Sequence, residues 1–112
     1  MCKRIAEIRE TNICDRLAFL DLSKNNITGE DFAKLRGGDW FCLNVLKIGN
    51  NPLGDEGMKH IKIFVSLTHL ELWNCEITGR GAEELQNLKF LKHLCLSRNK
   101  IKDDGIHNIK DI

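Results

Sequence analysis

Four copies of one eleven-residue pattern run through this chain at intervals of 24 to 26 residues: LAFLDLSKNNI from Leu17, LNVLKIGNNPL from Leu43, LTHLELWNCEI from Leu67 and LKHLCLSRNKI from Leu91. Each fits LxxLxLxx(N/C)xL. Aliphatic residues hold the first, fourth, sixth and eleventh places, and Asn25, Asn51, Cys75 and Asn99 hold the ninth. A fixed period of this size means one supersecondary unit stacked on itself. The alternation within LxL suits a strand with one buried face. One such strand has nothing to bury that face against, whereas stacked copies make a parallel sheet over a continuous core. No other feature limits the fold as strongly.

The second half of each unit repeats as well: ITGEDFAKL, LGDEGMKHI, ITGRGAEEL and IKDDGIHNI. Apolar residues three apart (Phe32 and Leu35, Met58 and Ile61, Ala82 and Leu85, Ile106 and Ile109) give one helical face. Asp55 and Asp103 are read as N-caps or first-turn acids. Gly57, Gly81 and Gly105 recur just after the helix start, where glycine costs about 1 kcal/mol of helix propensity. Close packing of each helix on its neighbour is the expected compensation.

These motifs resemble those of the leucine-rich repeat family, and the resemblance covers residues 1–112. Helices on the convex side point to the ribonuclease-inhibitor-like subclass, and Gly81-Ala82-Glu83-Glu84-Leu85 is similar to GALA-type repeats. The resemblance implies one α/β domain, a right-handed solenoid of about four βα repeats with a parallel concave sheet and convex helices. Repeats start near residues 17, 43, 67 and 91, and residues 1–16 are expected to form an N-terminal helix or half-repeat. In the family the ninth-place asparagine hydrogen-bonds the backbone of neighbouring turns. Cys75 keeps a small side chain there with a weaker donor, and is read as structural. The function implied is recognition of another protein.

Composition narrows the function further. Seventeen Lys+Arg against sixteen Asp+Glu leave a formal charge of +1, which makes no strong electrostatic case for nucleic acid or a membrane surface. No apolar run reaches the 18 or so residues of a membrane span, and MCKRIAEIRET lacks the apolar stretch of a secretory signal. The chain is read as cytoplasmic, with export as an effector left open. Its five cysteines include no CxxC pair and are read as reduced thiols. There is no phosphate-cradling glycine loop, HExxH or GxSxG. Neither enzyme activity nor a cofactor is expected.

The edges depart from the pattern. Gly37-Gly38-Asp39-Trp40 lengthens the first unit by two residues, and Trp40 is expected to fold inward. At the other end Ile109 and Ile112 lie in a last unit that has no polar cap. Solenoid ends need caps for solubility. Weak self-association through that end, an assembly role, is therefore the alternative to partner binding.

The third, fifth, seventh and eighth places face outward from the sheet. Read across the strands, the third-place row is Phe19, Val45, His69 and His93, and the fifth is Asp21, Lys47, Glu71 and Cys95. The seventh is Ser23, Gly49, Trp73 and Ser97, and the eighth is Lys24, Asn50, Asn74 and Arg98. Strands about 4.8 Å apart bring row neighbours into contact. Asp21, Lys47 and Glu71 alternate in sign, a solvated ladder worth little per pair. Trp73 projects from a polar face beside Gly49, which leaves room for something to pack, and Trp and Arg are enriched in binding hot spots. A partner protein is therefore expected to contact Trp73, His69, Phe19, Val45, His93 and Arg98. His69, Glu71, His93 and Cys95 make a rectangle of zinc-ligand types. Near-parallel side chains on a sheet do not converge into a tetrahedron, so neither a metal site nor a catalytic residue is assigned. His60 and His107 are read as surface residues on the helices.

Overall fold

The computed structural model of the protein describes residues 17–38 and 40–102. The readings made for residues 1–16 and 103–112, including the half-repeat and the uncapped last flank, lie outside these residues. Four short strands form one parallel sheet in chain order: β1 (Phe19–Asp21), β2 (Val45–Lys47), β3 (His69–Glu71) and β4 (His93–Cys95). The register aligns Phe19, Val45, His69 and His93, then Leu20, Leu46, Leu70 and Leu94, then Asp21, Lys47, Glu71 and Cys95. These are the rows that the repeat period requires. The leucine row turns inward. Leu46 and Leu70 are fully buried, while Leu20 and Leu94 on the two edge strands are half-buried.

Between the strands run α1 (Gly29–Ala33), α2 (Gly54–Met58) and α3 (Gly79–Ala82). Each is only about one α-helical turn. Beyond α2 and α3 the chain goes on in the 3-10 turns Ile61–Ile63 and Glu83–Asn87, so the convex side is less helical than the apolar spacing suggests. Two physical causes account for this. Glycine at the helix start weakens propagation from an already costly nucleus, and apolar residues three apart are what a 3-10 turn brings onto one face.

The helix starts show how the repeats are tied together. Thr28 caps α1 by accepting the Asp31 amide at 3.1 Å, and the Asp31 carboxylate accepts the Thr28 amide in return. That is a full capping box. Asp55 lies in the first turn of α2, but it caps no helix of its own: its carboxylate accepts the Thr78 amide at 2.9 Å and the Thr78 hydroxyl, in the next repeat. Thr78 in turn caps α3. A Cβ on Gly81 would stand 2.3 Å from the Asp55 carboxylate, and one on Gly29 would stand 2.7 Å from the Gly57 amide nitrogen. Glycine at these two places allows the close approach that offsets its helix cost.

The core is aliphatic apart from one aromatic cluster. Trp40 is buried, its indole N–H donates to the Leu35 carbonyl at 3.0 Å, and its ring lies 5.3 Å from Phe64, which packs against Phe32. The ninth-place residues stitch successive turns together. The buried Asn51 carboxamide accepts from the Asn25 and Ile27 amides and donates to the Leu22 and Ile48 carbonyls. Asn99 does the same for Cys75, Ile77, Leu72 and Leu96. Cys75 donates its thiol to the Ile48 carbonyl at 3.3 Å. Of the two amides beneath it, those of Asn51 and Leu53, the Leu53 amide already bonds to the Asn51 carbonyl, and the Asn51 amide lies against the thiol itself. A thiol suffices there.

Candidate functional site

The two outward rows and the loops that follow the strands form one continuous face. Phe19 is 53 % exposed at one side of it, Val45 and His69 are partly covered, and His93 is exposed at the other side. The His69 and His93 rings lie 5.6 Å apart. The charged row forms only in part. Glu71 accepts from His69 Nε2 at 2.9 Å and stands 3.8 Å from Lys47 Nζ. Asp21 instead accepts the Ser23 amide at 3.0 Å. That bond and the Ser23 hydroxyl hold its carboxyl below the usual range; burial opposes them, and nearby Lys47 adds a lesser pull in their direction. Lys47 also reaches over the Phe19 ring, at 5.4 Å from its centroid.

Trp73 sits at the middle of this face, but not as its spacing alone implies. The room beside Gly49 is filled by the indole itself: a Cβ on Gly49 would lie 2.1 Å from Trp73 Nε1. Lys24 Nζ stands 5.9 Å from the ring centroid. Trp73 is thus held between a glycine below and a lysine beside it, with part of its surface open. A partly exposed indole with neighbours on two sides has less rotamer freedom to lose on binding.

The loop after each strand has a left-handed residue at the eighth place, Lys24, Asn50, Asn74 and Arg98, with φ of 60°, 57°, 52° and 60°, and the loops after β1 and β3 have a second at Asn26 and Glu76. The Asn74 carboxamide donates to that of Asn50 at 2.6 Å. Lys24, Asn50, Asn74 and Glu76 line a polar hollow of about 400 Å³ at this edge. Arg98 is exposed and ends the row. Five of the six expected contact residues therefore share the sheet face, and Arg98 stands at its loop edge. Lys24 was missing from that set, although its eighth place put it in the same row as Arg98. A second set was also missing: Phe41, Val65 and Phe90 are exposed along the opposite edge, just before the strands. Phe41 and Val65 stand 24 residues apart, each two places before the leucine that opens a repeat, so the period carries a signal for them, whereas Phe90 falls one place out of step.

The rectangle of His69, Glu71, His93 and Cys95 does not converge. His69 is turned to Glu71, and the Cys95 thiol faces the Ser97 hydroxyl at 3.4 Å. Among the described residues no three His, Cys, Asp or Glu side chains are grouped to hold a metal ion. Cys75 lies in the core, where burial pushes its thiol up despite the nearby Asn51 and Asn50 amides. His60 is half-buried rather than fully on the surface.

Comparison with known proteins agrees with this geometry. Residues 16–37 and 66–88 match one Leucine Rich Repeat family model, and residues 41–62 and 87–109 match a second. The Ribonuclease inhibitor of Sus scrofa is 36 % identical over 72 residues, which is 56 % of this chain and 16 % of that protein. The NACHT, LRR and PYD domains-containing protein 14 of Mus musculus is 30 % identical over 109 residues, covering 94 % of this chain and 9 % of that one. The chain thus spans a small part of the length of both relatives.

Proposed function

The chain belongs to the leucine-rich repeat family, and from that premise we propose that it is a non-enzymatic module that binds a partner protein on the open face of its sheet. Leucine-rich repeat proteins generally mediate protein–protein interaction. The observation that carries the reading here is Trp73, wedged on Gly49 and half-exposed at the centre of a face. Phe19 and Val45 extend its apolar area, and His69, His93 and Arg98 supply polar contacts around it. Cores of interfaces are enriched in such aromatic and arginine anchors. No helix among the described residues is long and apolar enough to cross a membrane.

The test is capture from the native host with the wild-type chain and with Trp73→Ala, followed by affinity measurement on the captured protein. The indole lies outside the core, so the variant should fold. It should bind weaker by about 2 kcal/mol or more, roughly thirtyfold. An unchanged affinity would place the partner elsewhere.

A further inference from the structure

We propose that the segment bound across this face is acidic: an extended stretch of the partner whose carboxylates reach Lys24 at one end and Arg98 at the other, with Trp73 between. The inference rests on the binding reading above and adds the chemistry of the partner.

It starts from the left-handed row. Lys24, Asn50, Asn74 and Arg98 hold φ between 52° and 60°, a region where asparagine is favoured among non-glycine residues and long side chains are not. The two inner places follow that preference. The two outer ones carry long cations, which backbone conformation does not select. Neither Lys24 nor Arg98 forms an ion pair among the described residues, and both are exposed. Lys100, two residues further along the same loop, is a third exposed cation with no ion pair among the described residues.

The carboxylates of the face do not balance them. Glu71 is shared by Lys47 and His69, and Asp21 is turned to the Ser23 amide. Asp21 keeps its charge although it is turned to Ser23, and it and Glu76 stand against three exposed cations of the loop edge, Lys24, Arg98 and Lys100. The near-zero charge of the whole chain conceals this local excess.

Distance fits an extended segment. Three strand spacings of about 4.8 Å separate the Lys24 and Arg98 repeats, about 14 Å in all. In an extended chain, side chains four residues apart share one face at about 13 Å. Carboxylates at positions i and i+4 then meet the two cations, and the residue between them lies over Trp73. A nucleic-acid backbone fits less well, because neutral Asn50 and Asn74 occupy the middle of the line.

Trp73 provides the readout. Of the two tryptophans, Trp40 is buried, so a ligand on the face changes the emission of Trp73 alone. The full chain is titrated with hexaglutamate, hexalysine and a twelve-nucleotide oligo-dT in 20 mM and in 300 mM salt. The expected result is a saturable response to hexaglutamate, weakened at least fivefold by the higher salt, and none to hexalysine. Lys24→Asn with Arg98→Asn should weaken it at least fivefold. Because asparagine suits these backbone angles, the double variant should melt no lower than the wild type, which separates lost binding from lost fold. No response to hexaglutamate, an equal response to hexalysine, tighter binding of oligo-dT, or full affinity in the double variant would each overturn the acidic assignment. The Trp73-dependent capture of a native partner would stand or fall independently.

Discussion

The indole of Trp73 lies across Gly49 so closely that a methyl group at position 49 would meet Nε1 at 2.1 Å. Two adjacent repeats thus build one binding feature, the second supplying the ring and the first withholding a side chain. Gly49→Ala should expel the indole from this seat. Overpacking of this kind costs about 1–3 kcal/mol where neighbours cannot move; an exposed ring can swing outward, so the stability loss should sit at the low end. Acrylamide should then quench Trp73 more strongly, and partner affinity should fall without any change at Trp73 itself. Unaltered quenching would show that the ring is not held there.

How much of this was legible beforehand differs by residue. The rows Phe19–Val45–His69–His93 and Asp21–Lys47–Glu71–Cys95 follow from a two-residue side-chain period and a constant repeat length. Nothing else is needed. That Gly49 and Trp73 are neighbours was equally legible, but rotamer choice decides whether the gap is open or filled, and periodicity does not report rotamers. Asp55 was legible as a first-turn acid, yet its reach to Thr78 depends on how closely α2 and α3 approach. The left-handed turn at Lys24 and Arg98 was hidden, because neither residue advertises that conformation as glycine or asparagine does.

Asn51 and Asn25 occupy the same place in successive repeats and should differ in importance. Asn51 is 1 % exposed and serves the Asn25 and Ile27 amides and the Leu22 carbonyl of the preceding repeat and the Ile48 carbonyl of its own, whereas among the described residues the half-buried Asn25 donates to the Leu22 and Ser23 carbonyls of its own turn. Each buried group left unpaired costs about 1–3 kcal/mol. Asn51→Ala should therefore destabilise by at least about 3 kcal/mol and Asn25→Ala by about 1 kcal/mol. Denaturant melts of the two variants give the comparison, and equal losses would count against the ladder.

Leu70 and Leu94 share a register row but not an environment. Leu70 is fully buried between two strands, and Leu94 on edge strand β4 is half-buried. Leu70→Ala should cost about 2–5 kcal/mol through the cavity it leaves, and Leu94→Ala clearly less. Chemical denaturation with an unchanged m-value would attribute the difference to stability rather than to a change in the unfolded chain.

Thiol reactivity should divide Cys75 from its counterparts. The thiolate is the reactive form; burial raises the Cys75 pKa and removes the thiol from solvent. Cys42 is exposed and Cys95 partly so. Brief treatment with iodoacetamide at pH 8, read by peptide mass spectrometry, should label Cys42 and Cys95 and spare Cys75 until denaturant is added. Labelling of Cys75 at the rate of Cys42 would mean that the third turn opens readily.

His60 supplies a pH dependence with a definite sign. It sits just after α2, half-buried, and burial is the main cause that lowers its pKa below the ordinary 6.5. Arg36, Lys59 and Lys62 push in the same direction, and Glu56 opposes them. The folded state thus disfavours the imidazolium more than the unfolded state does. Its contribution is fully present above pH 6.5 and is lost as pH falls through the depressed folded value. Melting temperature should decline between pH 7.5 and pH 5, before most carboxylates titrate. His60→Gln removes the titrating group, so its melting curve should be flatter over that interval. If the variant and the wild type decline in parallel, the dependence belongs to other groups and His60 is not its source.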